Sequence, residues 1–79
     1  MSVMINITYN GQSGNYVAQI NPGADDRNVR RLCEEAVRAG EVSGVAKTIP
    51  QNAFQNFVID RFHGSEGARF VVRPKVPFG

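Results

Sequence analysis

The sequence contains one cysteine, one histidine and no long apolar run. Because a single thiol cannot form a disulfide within its own chain, the fold around Cys33 must be stable without cross-links, which suits a reducing cytoplasm. His63 has no second histidine, cysteine or carboxylate cluster near it in the sequence, so neither a metal site nor a catalytic pair is predicted. No segment is long enough to cross a bilayer, and residues 1–6 have neither the basic start nor the apolar run of a signal peptide.

The chain length and composition predict one small domain. The 79 residues include 42% apolar side chains, and the net charge is +2. A chain of this length buries only roughly 60% of the surface that its unfolded form exposes, so a deep enclosed active site is not expected. The charge is too small to indicate nucleic acid. We therefore expect a cytoplasmic domain over residues 1–73 that is not an enzyme, needs no cofactor and ends in a flexible tail, residues 74–79.

The beginning of the chain predicts a β-hairpin. Apolar and polar residues alternate from Val3 to Tyr9 and again from Tyr16 to Ile20, which is the period of a strand with one buried face. Residues 10–15, with the sequence NGQSGN, supply turn residues between the two runs. Two such runs joined by a short glycine-containing loop are typical of a hairpin.

Residues 26–39 are predicted to form a helix. Asp25 and Asp26 favour a helix start, and Gly40 stands where a left-handed C-terminal cap is expected. One apolar stripe follows the helical period: Val29, Leu32, Cys33, Ala36 and Val37. We expect Val29 and Leu32 to pack against apolar side chains of the strands, namely Ile5, Ile7, Ile20 and Phe70. Cys33 is accordingly predicted to be a small buried apolar residue rather than a nucleophile.

The second half of the chain predicts two more strands after a weakly patterned connection. Residues 41–55 show no clear period, and three apolar residues are candidates to hold them to the core: Val42, Val45 and Ile49. Residues 57–62 and 68–72 are predicted strands, with a turn over residues 63–67. One helix can cover one face of a mixed sheet of four or five strands, so this order predicts an α+β protein. A β-grasp fold, in which the first and last strands are central and parallel, has this order; another small α+β sandwich is the alternative.

Both ends of the sequence resemble ubiquitin-like proteins. The segments MINITYNG (residues 4–11) and YVAQINPG (residues 16–23) resemble the opening hairpin of that family, and residues 25–40 resemble its single helix. The segment GARFVVRP (residues 67–74) resembles the last strand of bacterial ubiquitin-like and multiubiquitin-type domains. The resemblance is poor over residues 41–56.

This resemblance implies a protein modifier or carrier. In that family an activating enzyme uses ATP to adenylate the carboxylate of a C-terminal glycine, here Gly79, which then forms a thioester or a thiocarboxylate. The implied partners are activating and conjugating enzymes, a processing peptidase and a target protein. Pro74 and Pro77 suit this role because they stop the sheet and keep the tail extended. Phe78 departs from the small residue common before the terminal glycine, which implies a partner pocket for its ring or a chain end that is not the natural one.

Residues near the tail leave a second function open. Arg69, Arg73 and Lys75 are explained equally well as charges that steer the tail to an acidic groove of an enzyme and as solubilising charges. Three phenylalanines of the second half are expected mainly in the core, with at least one available for a partner surface: Phe54, Phe57 and Phe62. The alternatives are therefore a non-conjugated module that binds a partner through its sheet, and a tail that is only a frayed terminus.

The predicted helix carries four arginines, but we do not expect them to bind nucleic acid. They are Arg27, Arg30, Arg31 and Arg38. Glu34 is four residues from Arg30 and from Arg38, and Glu35 is four residues from Arg31. This spacing predicts ion pairs on a solvated helix face. The segment GSEG (residues 64–67) lacks the lysine and the following helix of a phosphate-binding loop.

Overall fold

The structure, a computed structural model, describes residues 2–75. Two strands come first, then one helix, then two more strands. The strands are β1 (Ser2–Tyr9), β2 (Gln12–Gln19), β3 (Val58–Gly64) and β4 (Gly67–Arg73), and the helix is α1 (Asp26–Arg38). The α+β class is therefore confirmed. Most of the predicted tail, residues 76–79, lies outside the described residues, so its flexibility stays a prediction.

The four strands form one mixed sheet in the order β2-β1-β4-β3. β1 pairs in parallel with β4, where Ile5 lies opposite Phe70, and the other two pairs are antiparallel. A parallel pair cannot be joined by a tight turn, so α1 and the connection after it supply the crossover. The predicted central, parallel placement of the first and last strands is confirmed, and the topology is compatible with a β-grasp fold.

The first hairpin is tighter than predicted. Tyr9 pairs with Gln12, so only Asn10 and Gly11 form the turn and residues 12–15 belong to β2. The φ angles of Asn10 and Gly11 are 52° and 78°, and a type I′ turn requires two such positive values. The prediction of a loop over residues 10–15 was wrong because the polar residues after the turn continue the ladder.

The second hairpin is also tighter than its sequence indicated. Gly64 pairs with Gly67, which leaves Ser65 and Glu66 as the turn. His63, predicted to lie in a turn, lies in β3 opposite Ala68. Gly67 has a φ of 109°, a conformation that side-chain-bearing residues rarely adopt, so glycine is needed where β4 begins.

The helix begins and ends at its predicted caps. The Asn28 N–H donates to the carboxylate of Asp25 at 2.9 Å. At the other end Gly40 has a φ of 76°, and the N–H groups of Gly40 and Glu41 donate to the carbonyls of Val37 and Ala36. This pair of bonds is a Schellman motif, which satisfies carbonyls that would otherwise lack partners.

The core lies between α1 and one face of the sheet. Its fully buried members are Val3, Ile5, Ile7, Ala18, Val29, Cys33, Val37, Phe70 and Val72. Val42, Val45 and Ile49 are also buried, so the expectation that they hold the connection to the core is confirmed. Leu32 and Ile20 pack against this core but remain partly exposed, and Cys33 occupies the centre of the helix stripe in place of Leu32.

Candidate functional site

The three basic residues predicted near the tail do not form one cluster. Arg69 and Arg73 lie on the same face of β4, but they are four positions apart, which is about 13 Å along the strand. Nε of Arg73 donates to the carboxylate of Asp60 at 2.7 Å, so the charge of Arg73 is partly neutralised. Lys75 follows Pro74 and lines a different, shallow groove beside Phe57. Phe78 and Gly79 lie outside the described residues.

The sheet face opposite α1 carries one line of side chains across the four strands, and three of the four are apolar. Met4 in β1 lies opposite Val17 in β2 and opposite Arg69 in β4, and Arg69 lies opposite Phe62 in β3. We call Val17, Met4, Arg69 and Phe62 the outer row. The three apolar members are 52%, 40% and 49% exposed, in that order. Strands lie about 4.8 Å apart, so the row is about 14 Å long.

Arg69 is the one charged member of the outer row. Its guanidinium lies over the ring of Phe62, 5.5 Å from the ring centroid. A guanidinium in this position is attracted by the ring while its remaining N–H groups face solvent. Among residues 2–75 Arg69 forms no ion pair. The outer row therefore offers apolar contact and one uncompensated positive charge.

The row of side chains that borders the outer row on the same face consists of Asn15, Asn6, Val71 and Asp60, and it is polar except for Val71. Nδ2 of Asn6 donates to Oδ1 of Asn15 at 2.9 Å across the β1–β2 pair. Farther along, Arg73 and Asp60 form the ion pair across the β3–β4 pair. Apolar side chains beside satisfied polar ones are the usual composition of a protein-binding surface.

Sequence reasoning named Phe62 only as one of three phenylalanines that could reach a partner surface, and it missed Met4 and Val17. The signal was present in the alternation of β1 and β2. Residues 2–75 include only one helix, so the face opposite Val3 and Ile5 is left without a helix to cover it. What the sequence could not supply was the register that aligns Met4, Val17 and Phe62.

The other aromatic residues of the second half lie against the core. Phe54 is buried, and its ring centroid lies 4.9 Å from that of Phe57 and 5.5 Å from that of Tyr9. Tyr9 and Phe57 stack at 5.9 Å. The core expectation therefore holds for Phe54, while Phe57 is partly buried beside it.

Arg61 holds the edge strand β3 to the start of the helix, a role that the sequence did not reveal. Its side chain points to the helix side of the sheet, 4.7 Å from the centroid of the Phe70 ring. Nη2 donates to the Asp26 carboxylate at 2.6 Å and Nη1 donates to the Pro22 carbonyl at 3.2 Å. These bonds are structural, since they fasten three separate segments together.

Among residues 2–75 the structure shows neither an exposed thiol nor a cluster of metal-binding side chains. Cys33 is fully buried, and desolvation raises the pKa of its thiol to about 12, so it carries no thiolate near neutral pH. The prediction that Cys33 is a buried apolar residue is confirmed. Among residues 2–75 no three His, Cys, Asp or Glu side chains lie close enough to hold a metal ion. In the same part of the chain no helix is both long enough and apolar enough to cross a membrane.

The chain was compared with known proteins at three levels. No family model, no curated protein and no solved structure matches it.

Proposed function

We propose that this protein is a ubiquitin-like modifier or carrier whose working group is the carboxylate of Gly79. The observation that supports this most is the central position of β4, parallel to β1. Phe70 and Val72 anchor β4 in the core, and Pro74 then ends the ladder. A rigid central strand that stops at a proline is a suitable base from which a chain end can be offered to an enzyme.

In this proposal the protein is the substrate of other enzymes. An activating enzyme would join the Gly79 carboxylate to AMP with loss of pyrophosphate from ATP. A cysteine thiolate or a sulfur donor would then displace AMP. Glycine suits the reacting position because it places the least bulk beside the carbon that is attacked. The partners are activating and conjugating enzymes, with a processing peptidase if residues follow Gly79, and the compartment is the cytoplasm.

The test is reconstitution with ATP and any activating enzyme that is found encoded in the neighbourhood of this gene. Mass spectrometry should detect an adenylate, a thioester or an isopeptide product. Deletion of Gly79 should abolish the product, and Gly79→Ala should slow its formation. Gly64→Ala is the matched control, because a β-carbon at Gly64 meets no atom within 4 Å. A product that still forms after deletion of Gly79 would exclude this carboxylate as the working group.

Phe78→Ala tests whether the partner binds the aromatic ring. Full burial of such a ring contributes roughly 1.5–3 kcal/mol, so its loss should raise KM for the modifier by at least about tenfold if a pocket exists. An unchanged KM would show that the enzyme does not bind Phe78.

A second function, a non-conjugated module that binds a partner, is supported by the outer row. Its three half-exposed apolar side chains lie in line on one sheet face, and contiguous exposed apolar surface is where protein partners usually bind. We expect the partner to present an apolar centre and an acidic residue that faces Arg69. A partner recovered with the native chain should be purified, and its Kd should be measured for Phe62→Ser and for the control Ser65→Ala in the adjacent turn. Equal affinities for both variants would exclude the outer row as the binding surface.

A further inference from the structure

An open groove of about 500 Å³ lies between the first half of α1 and residues 51–55. Three arginines of the helix line it: Arg27, Arg30 and Arg31. The amide side chains of Gln51, Asn52 and Gln55 lie across from them. We call this the arginine groove. Neither the outer row nor the predicted tail residues belong to it.

Arg30 is already held in place in the arginine groove. Its Nε and Nη2 donate to the carbonyl of Phe57 at 3.1 and 2.9 Å, and Nη2 lies 3.9 Å from the Asp26 carboxylate. The side chain is 29% exposed. Two of the five N–H groups of the guanidinium serve these bonds, so others can still donate to a ligand. Because the group is fixed beforehand, little conformational entropy is lost when a ligand binds.

The carboxylates near the arginine groove are already bonded to other groups. Oδ1 of Asp26 accepts from Arg61 at 2.6 Å. Oε2 of Glu34 accepts from Arg38 at 2.9 Å, and its Oε1 accepts from the backbone N–H of Asn52 at 2.8 Å. The predicted Glu34–Arg38 pair is thus present, and Glu34 pairs with Arg38 rather than with Arg30.

Arg27 and Arg31 are left without compensation. In the part of the chain that the structure describes, neither arginine forms an ion pair, so the expected Arg31–Glu35 pair is not made. Both are exposed and four residues apart, which places them on one face of α1. The arginine groove therefore presents two uncompensated charges beside one preorganised guanidinium.

We propose that the arginine groove binds an acidic peptide segment of a partner protein. Two carboxylates spaced along an extended segment can pair with Arg27 and Arg31, and a third can meet the free N–H groups of Arg30. The amide side chains of the opposite wall, with both donors and acceptors, suit the polar backbone of a peptide.

A peptide fits this site better than nucleic acid does. Phe54 lines the arginine groove but is only 1% exposed, so no aromatic face is open there for a base to stack on. Nucleic acid binding normally uses a longer track of basic residues than three arginines of one helix.

The experiment measures fluorescence anisotropy of labelled hexaglutamate with the whole chain at low salt. The native protein should bind hexaglutamate and not hexaglutamine. Arg31→Gln should weaken binding about two- to fivefold, and the Arg27→Gln/Arg31→Gln double variant about five- to twentyfold, as expected for exposed ion pairs. Lys47→Gln makes the same single charge change outside the arginine groove and should alter affinity less than twofold. Both arginines are exposed, and a circular dichroism melt will verify that each variant is folded.

Two results would overturn the proposal. One is equal weakening by Lys47→Gln and Arg31→Gln, which would mean that binding follows net charge alone. The other is tighter binding of a labelled single-stranded hexanucleotide than of hexaglutamate at the same salt concentration, with loss in the double variant. No readout involves Gly79, so this test and the reconstitution test can fail separately.

Discussion

Gly14 in β2 lies directly against the backbone carbonyl of Ser43, and a β-carbon at position 14 would overlap that oxygen. Gly44 approaches the carbonyl of Ser13 as closely, with a φ of 97°. The side chain of Gln12 adds a bond, because its Oε1 accepts from the Ala46 N–H at 2.8 Å. The connection after α1 therefore packs directly against β2 through the backbone atoms of both segments.

Gly14→Ala is predicted to destabilise the fold by about 1–3 kcal/mol, the usual range for overpacking. The new methyl would meet the Ser43 carbonyl and would lie 2.9 Å from Cγ1 of Val42, so the connection must move away. Urea denaturation will measure the free energy of unfolding. Gly64→Ala is the control and should change it by less than about 0.5 kcal/mol, since nothing lies within 4 Å of that position. Equal midpoints for both variants would contradict the close approach.

Phe54→Ala is predicted to lower the free energy of unfolding by about 3–5 kcal/mol. Leu32→Ala is predicted to lower it by less than about 2 kcal/mol. Phe54 is 1% exposed and contacts two other rings, whereas Leu32 is partly exposed at the margin of the core. Truncation of Phe54 leaves a cavity, while water can reach the space vacated by Leu32. Thermal and urea unfolding will rank the two, and a larger loss for Leu32→Ala would mean that the helix stripe is oriented differently.

Arg61→Ala is predicted to lower the free energy of unfolding by about 1–2 kcal/mol. This is at the lower end of the range for hydrogen bonds to charged groups, because Asp26 is 52% exposed to solvent. The change removes bonds to Asp26 and Pro22 and the contact with the Phe70 ring. Lys47→Ala changes an exposed residue that forms no ion pair among residues 2–75, so it should leave the stability nearly unchanged. Amide hydrogen exchange should rise mainly in β3 and at the start of α1. An equal increase in amide exchange across all segments would indicate that Arg61 does not link β3 to the start of α1.

Alkaline pH is predicted to destabilise the protein through Cys33. Desolvation raises the pKa of this thiol from 9.0 in the unfolded chain to about 12, so the folded protein holds the proton more tightly. The stability that this raised pKa contributes is fully present below pH 9. It is lost as the pH rises toward 12, by up to about 1.4 kcal/mol per pH unit. The pKa of Tyr16 is also raised, first by desolvation and then by Glu41, and acts in the same direction.

Urea titrations at several pH values will measure this dependence in the native chain and in Cys33→Ala. The variant loses some stability at every pH because a buried atom is removed, but its stability should fall less steeply above pH 9. Parallel slopes for the two proteins would show that Cys33 is not the group responsible.

Features with a local cause could be predicted from the sequence. The period of two in β1, the N-cap Asp25 and the C-terminal cap at Gly40 each depend on residues a few positions apart, and the structure has them where predicted. The parallel pairing of β1 with β4 followed from one helix and one apolar stripe, because few arrangements of four strands bury that stripe.

The turns were predicted less well, although they too are local. The structure has a two-residue turn at Asn10–Gly11. A longer loop would use equally polar residues, so composition does not distinguish the two. His63 was assigned to a turn because glycine follows it, yet Gly64 continues the ladder opposite Gly67. Cross-strand pairing, rather than the preference of each residue, determined where the strands ended.

The sequence by itself determined the helix and the buried faces of β1, β2 and β4, because these follow from short-range periodicity. Only the tertiary structure decided that Val17, Met4 and Phe62 align, that Glu34 pairs away from Arg30, and that Gly14 meets Ser43. Each of these depends on register or on contacts between residues remote in the chain, for which a short sequence pattern contains no period.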